Sequence, residues 1–435
     1  MRLDSIRLLA EDLAHGRVSA VELVEHALRS AQEAAPSAIE FVVADARSRA
    51  EASDRRRLQG RTTGPLDGIP FAVKANIDLA GQVTTSGLVE PSGGWWPQAQ
   101  RDAPVVQRLV EAGAIPVLVT TMAPMAMGSV TISLVRGPCR NPRDPSRHAG
   151  GSSGGSGAVV GAGVVPFSLG TDTMGSVRIP ADYCRVTGWI PTPGLVDQGG
   201  MVPLCTGLDR LGILCGDPQD LPLLMDVVSG GTMAQPVADA RVSALGVDGG
   251  LDAPGRAAVA QAIDALQRAG FIRGEDRGLP VDLGSLRRRA FLLVEAQASV
   301  TFAEARRAGS VPEAMARLLD YGGGASPDAL DRSHQALADA RDRARDLLRD
   351  VQILVLPTTP HGAPLLGDDP PGAADLTAWV NIAGLPAVST PLGERSVQLV
   401  GGPGSDLLLA RAATSIQGES RLTDAEPGHT TLEER

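Results

Sequence analysis

Short apolar runs alternate along this chain with longer stretches of helical period. FVVADA (41–46), IPFAVKANI (69–77), IPVLVTT (115–121), ILVLPTT (353–359) and VQLVGG (397–402) are brief and mostly rich in β-branched residues. That is the pattern of buried strands or their edges. Between them, 103–113, 219–229, 254–269 and 326–349 carry apolar positions at helical spacing. Ser19 and Glu22 stand three apart at the head of the periodic stretch Val21 to Ala34, a capping-box pattern that predicts an early helix. The alternation predicts an α/β protein with helices on both faces of a sheet. LGDDPPGAA (366–374) reads as a loop. From Gln417 the chain turns polar, so the expected division is a main domain over 1–416 and a tail over 417–435.

Composition narrows the function classes. With 43% hydrophobic and 21% charged residues over 435 positions, the chain can bury a large core. Its net charge of −10 and 3% aromatic content disfavour a nucleic-acid partner, which would call for a basic face or stacking rings. No apolar run reaches the ~18 residues of a membrane helix, so no membrane partner is expected. The start, MRLDSIRLLAEDLAHG, has no continuous apolar core and does not read as a secretory leader. Four scattered cysteines without a CxxC pair predict reduced thiols and no metal site. A cytoplasmic location is the expectation.

One count is sharper. Of 40 basic residues, a single one is lysine, Lys74. Arginine cannot deprotonate in a protein, whereas a desolvated lysine can. A lone lysine in the apolar segment GIPFAVKANI is therefore either a candidate base or a chance survivor of a strong arginine bias.

The stretch 148–178, HAGGSSGGSGAVVGAGVVPFSLGTDTMGSVR, is dense in glycine and serine yet carries apolar runs that a flexible linker would lack. It predicts a glycine-rich loop, a buried helix over 157–164, a short strand and a second glycine turn. No lysine follows the glycines as a phosphate loop requires, and the glycine spacing misses the dinucleotide fingerprint. GGSSG fits GxSxG around Ser153, but a nucleophile elbow needs an apolar strand before it, and NPRDPSRHAG is polar. A serine nucleophile needs a base, and a neutral lysine can serve.

GPLDGIPFAVKANIDLAG (64–81), MGS…GPCRNPRDPSRHAGGSSGGSG (127–157), GTDTMGSVRIPA (170–181), ILVLPTTP (353–360), NIAGLPAVSTPLG (381–393) and LVGGPGSDLLLARAA (399–413) together resemble the blocks of the amidase signature family. The resemblance covers nearly the whole chain. It implies a single large α/β domain, a central mixed β-sheet covered by helices. It also implies hydrolysis of a carboxamide C–N bond in a small, linear amide, without cofactor or metal. By resemblance, Ser176 is the acylated nucleophile, Ser152 the bridging serine on a cis peptide, and Lys74 the base. The turn residues Thr173, Met174 and Gly175 supply the oxyanion hole. The family also holds amidotransferase A-type subunits, which pass ammonia to a partner, and acyl-transferring biosynthetic members. Homodimers are common in it.

Some positions depart from the family pattern. Met174 stands where the family has Gly or Ala, which implies a narrowed acyl pocket, or strain if that position needs a positive φ. Ala75, Thr121 and Pro124 also depart, so the substrate is expected to be unusual for the family. Arg178 reads either as a ligand for a substrate carboxylate, as in malonamidase-like members, or as half of an internal ion pair. Met125, with Met122 and Met127, reads either as an adaptable pocket wall or as core. Asp172 reads as a hydrogen-bonded structural acid. Pocket residues are expected from 120–135, 200–215 and 280–325.

Overall fold

Continuous apolar runs become the middle of a sheet when both faces are covered. The computed structural model follows that rule at Pro70–Lys74, Ile115–Thr120, Phe167–Asp172 and Ile353–Pro357, each buried at every position. It describes residues 2–89, 98–234, 237, 239–246, 251–279, 281–369 and 371–423. The strands among these are β1 (Ile39–Val42), β2 (Pro70–Lys74), β3 (Ile115–Thr120), β4 (Ile132–Ser133), β5 (Gly137–Pro138), β6 (Phe167–Asp172), β7 (Thr187–Ile190), β8 (Arg210–Cys215), β9 (Arg241–Gly246), β10 (Ile272–Arg273), β11 (Arg277–Gly278), β12 (Ile353–Pro357), β13 (Ala387–Leu392) and β14 (Arg395–Gly401). β4 and β5 form a separate ribbon. The other twelve make one mixed sheet in the order β1-β3-β2-β6-β8-β7-β13-β14-β12-β9-β10, with β11 beside β9. The expected single α/β domain with a helix-covered central sheet is what the chain forms.

The feature that positions chemistry is the parallel trio β3-β2-β6. Parallel strands end on the same edge, and crevices beyond strand carboxyl ends are the usual ligand sites of α/β sheets. Phe71 of β2 and Phe167 of β6 are registered partners whose rings stack at 5.2 Å, fixing the pair at its base. Lys74 and Asp172 are then the last residues of β2 and β6.

The elements expected from the pattern recur with shifted ends. The run at 41–46 pairs only as Ile39–Val42, because Ala46 already opens the helix Ala46–Leu58. The expected helices appear as Pro104–Glu111, Leu221–Ser229, Ala253–Arg268 and Pro327–Leu347. The capping box opens the helix Ala20–Ala34: Glu22 N donates to Ser19 Oγ (3.1 Å) and Ser19 N to Glu22 Oε2 (2.8 Å). The last helix, Asp406–Thr423, runs past Gln417; the remaining expected tail, 424–435, lies outside the described residues. Among the described residues no helix is long and apolar enough to cross a membrane. All four cysteines are buried and free.

Candidate active site

Lys74 ends β2 fully buried between strands. Its Nζ lies 2.8 Å from Ser152 Oγ, 2.7 Å from Thr171 Oγ1 and 3.3 Å from the Thr171 carbonyl. Burial drives its pKa down to about 7, against the opposing pull of Asp172 and Asp209. Near neutral pH a large share of this amine is therefore uncharged. A neutral amine has two hydrogens and one lone pair. The Thr171 carbonyl can only accept, so it takes one hydrogen. The other hydrogen and the lone pair face two hydroxyls, either of which can donate, so Ser152 can hand its proton to Lys74.

The Gly–Ser stretch is rigid packing. A Cβ on Gly151 would sit 2.6 Å from the Val130 carbonyl carbon, and one on Gly154 would sit 2.5 Å from Thr131 Oγ1. These contacts let the loop 150–153 enter the crevice beside β2. The Gly151–Ser152 peptide is cis, as the resemblance implies. The two adjacent serines have different employment. Ser153 Oγ donates to the Thr171 carbonyl at 3.1 Å and accepts from Thr171 N at 3.3 Å, which commits it to the backbone of β6. Ser152 Oγ is the one at Lys74. The predicted buried helix starts at Gly154, directly after this pair.

Beyond Asp172 the chain turns sharply into the helix Arg178–Cys184. The Asp172 carboxylate shapes that turn, accepting from Gly175 N (2.8 Å) and Val177 N (3.0 Å) and pairing with Arg178 Nη2 (2.9 Å). Burial would raise its pKa, but Arg178 and the backbone donors overcome burial and hold it below the ordinary carboxylate value. Gly175 has φ +131°, and a Cβ there would run into Thr377 Oγ1. The positive φ thus falls on Gly175 and not on Met174, so methionine is unstrained at 174. Ser153 N donates to the Ser176 carbonyl (3.2 Å), tying the serine loop to the turn. Ser176 itself is half-buried, and its hydroxyl has no hydrogen bond among the described residues.

The three turn residues expected to bind an oxyanion are not equivalent. The N–H of Gly175 is engaged by Asp172. Those of Thr173, Met174 and Ser176 meet no acceptor among the described residues. The free donors of the turn are therefore at 173, 174 and 176.

Ser176 opens onto a cleft of about 320 Å³. Its walls are residues 126–129, Thr173, Met174, Ile179, Leu204, then Arg287, Phe291 and Val294 of the helix Leu283–Thr301, Leu318, Asp369 and residues 371–374. The expected pocket segments each contribute, but Asp369 and residues 371–374, within the stretch read as a plain loop, supply a wall as well. Arg178 and Met125 are not on it. All five N–H groups of Arg178 are engaged: Asp172 takes Nε and one Nη2 hydrogen, Asn381 Oδ1 the other, and Thr377 O and Gln398 Oε1 those of Nη1. It is the internal ion pair, with no donor left for a substrate. Met125 is buried in the core at φ +55°; with Ala126 at φ +60°, the backbone reverses and brings 126–129 to the cleft instead.

Several supports lay outside the sequence reading. Thr377 Oγ1 donates to the Met174 carbonyl (2.7 Å), and Asn381 Nδ2 to Asp172 Oδ1 (2.9 Å). Thr173 Oγ1 donates to Asp209 (2.6 Å), which also accepts from Leu204 N and Cys205 N (2.9 Å each). Asn381 lies in a block that carries the resemblance; nothing marked Thr377 or Asp209.

The family model for Amidase matches residues 20–409. The chain belongs to the amidase signature family. It is 33% identical to the AtzE chain of 1-carboxybiuret hydrolase from Pseudomonas sp. (strain ADP), over 95% of this chain and 98% of that one. It is 34% identical to the A-type subunit of glutamyl-tRNA(Gln) amidotransferase from Anaeromyxobacter dehalogenans (strain 2CP-C), over 97% of each. Among solved structures, one from a vestigial protein complex bearing on the origins of an s-triazine catabolic enzyme superposes with a TM-score of 0.87 at 31% identity, covering 95% of this chain and 98% of that one. The substrate complex of 6-aminohexanoate cyclic dimer hydrolase superposes at 0.82 with 25% identity, covering 97% and 98%.

Proposed function

We propose that this amidase signature protein hydrolyses the C–N bond of a small linear carboxamide through an acyl-enzyme on Ser176, with Ser152 and Lys74 as the proton relay. The observation that carries this reading is the buried amine of Lys74, 2.8 Å from Ser152 Oγ with its pKa lowered to about 7. Ser176 Oγ attacks the amide carbon and a C–O bond forms. Its proton moves to Ser152, whose own proton moves to Lys74. The oxyanion is received by the free N–H groups of Thr173, Met174 and Ser176. As the C–N bond breaks, the relay returns a proton to the departing amine. Water then attacks the ester, the same relay takes its proton, and Ser176 is restored as the acid leaves.

Intact-mass analysis after treatment with a fluorophosphonate tests it. One adduct is expected on wild type, mapping to Ser176, and none on Ser176→Ala. An adduct at Ser153 would sink the assignment. The likeness to the A-type component of glutamyl-tRNA(Gln) amidotransferase supports a second reading, in which ammonia is passed to a partner. A second chain co-purifying with this one from its native source, and raising its activity, would favour that reading over a free-standing hydrolase.

A further inference from the structure

We infer that Arg287 selects amides that carry a carboxylate, its guanidinium binding that group while the amide carbon lies at Ser176. This deepens the amidase reading and rests on it. Arg287 and Ser176 line the same cleft. Arg287 Nε donates to Asp375 Oδ1 at 2.5 Å, and no other hydrogen bond of its guanidinium is found among the described residues. That single anchor leaves the Nη1/Nη2 edge unengaged. This edge is the planar fork that matches a carboxylate with two parallel bonds. Arg178, with every donor engaged, is the contrasting case.

An arginine already paired with an aspartate is a weak attractor unless the surroundings add positive charge, and here they do. Arg287 also borders an adjoining cleft of about 430 Å³, where Arg288, Arg289 and Arg332 line the wall. The acid in that cleft, Glu295, is pushed up to about 7 by burial, so near neutral pH it offsets only part of a charge. The other carboxylate of the active cleft, Asp369, is on the exposed rim, accepts from Ser129 Oγ at 2.6 Å and is screened by water. The cleft that Ser176 and Arg287 share is also lined by the apolar side chains of Ile179, Leu204, Phe291, Val294 and Leu318. The ligand class that fits is a short dicarboxylic acid monoamide: amide at one end, carboxylate at the other, methylenes between.

The test uses the full chain and three matched pairs: malonamate with propionamide, succinamate with butyramide, glutaramate with valeramide. In each pair a methyl replaces the carboxylate. In at least one pair, wild type is expected to show a kcat/KM about 10–100-fold higher for the carboxylate member, the worth of a charge-assisted pair. Arg287→Met should bring that ratio close to one, and Arg287→Lys should restore part of it. Protection of Ser176 from fluorophosphonate by the carboxylate member reads the same preference as binding, without turnover, and labelling of Arg287→Met reports that its site still assembles. A wild type with no preference at any of the three lengths, by rate or by protection, overturns the inference. So does an Arg287→Met enzyme that keeps the ratio. If wild type takes up no label at Ser176, the amidase reading itself fails. A labelled Ser176 with equal protection by both members of every pair removes only the role of Arg287.

Discussion

The floor of the cleft and its helical wall are built on different terms. On the floor, Lys74, Ser152 and Asp172 are fully buried, each held by backbone or by fixed side chains at strand ends. On the wall, Arg287 is 28% exposed and anchored by one bond, while its neighbours come from helices and a loop far apart in sequence. A proton relay tolerates little displacement, so its parts belong on the rigid edge of a sheet. A wall that only has to fit one molecule needs shape and one or two polar groups, which exchange freely on helices. Substitutions on the floor should therefore cost orders of magnitude on every substrate, and substitutions on the wall should change which substrate is preferred.

The largest effect after loss of the proposed nucleophile, Ser176, is expected at Lys74. Lys74→Arg keeps a cation that cannot deprotonate at any workable pH and should lose about 10²–10⁴-fold in kcat/KM, or more if the relay acts as one unit. Wild-type kcat/KM should rise with pH through an ionisation near 7 and then level. A flat profile from pH 5 to 9 would contradict a lysine base. The same group predicts a stability signature. Its native pKa is lowered from 10.5 to about 7, so between those values the unfolded chain binds more protons. Its burial is therefore most costly below pH 7, and stability gains as pH rises through the window. Measured by Tm, any advantage of Lys74→Met over wild type should be greatest below pH 7 and shrink toward pH 10.5.

Next in size is the pair beneath the turn. Arg178→Met leaves the Asp172 carboxylate buried without its cation and should cost about 3–5 kcal/mol by chemical denaturation. Activity should fall on all amides together, because the turn that presents Ser176 loses its brace. An Arg178→Met protein with wild-type stability, losing activity only on carboxylate-bearing amides, would return Arg178 to the substrate.

What could be read in advance tracks the same division. The residues of the proposed relay sit in contiguous strings, GIPFAVKANI, GGSSGGSG and GTDTMGSVR, where strand ends and tight glycine turns leave a local imprint. The lone lysine carried its own chemical argument. Arg178 could not be decided locally, since Thr377, Asn381 and Gln398 lie 199, 203 and 220 residues away. Arg287 is one of the chain's 39 arginines, in the run Arg287–Arg289, and only the fold brings it into the cleft that Ser176 lines. Residues 366–374 carry turn formers, a pattern that says loop and is silent on which cavity the loop borders.

Met174 belongs to both regions and is expected to show the smallest and most selective effect. Its backbone is part of the floor: its carbonyl accepts from Thr377 and its N–H is free to meet an oxyanion. Its side chain, half-exposed, is part of the wall. Because Met174 does not hold a positive φ, a glycine there relieves no strain and adds only freedom to the unfolded chain, at a cost of about 1 kcal/mol or less. Removing the thioether beside Ser176 enlarges the space for the acyl group. Met174→Gly should therefore raise kcat/KM for a bulky amide such as benzamide relative to propionamide, by about tenfold or less, the range that apolar fit alone supplies. The denaturation midpoint should move little. If the benzamide-to-propionamide ratio stays at the wild-type value while both rates fall together, the residue acts through its backbone alone and belongs wholly to the floor.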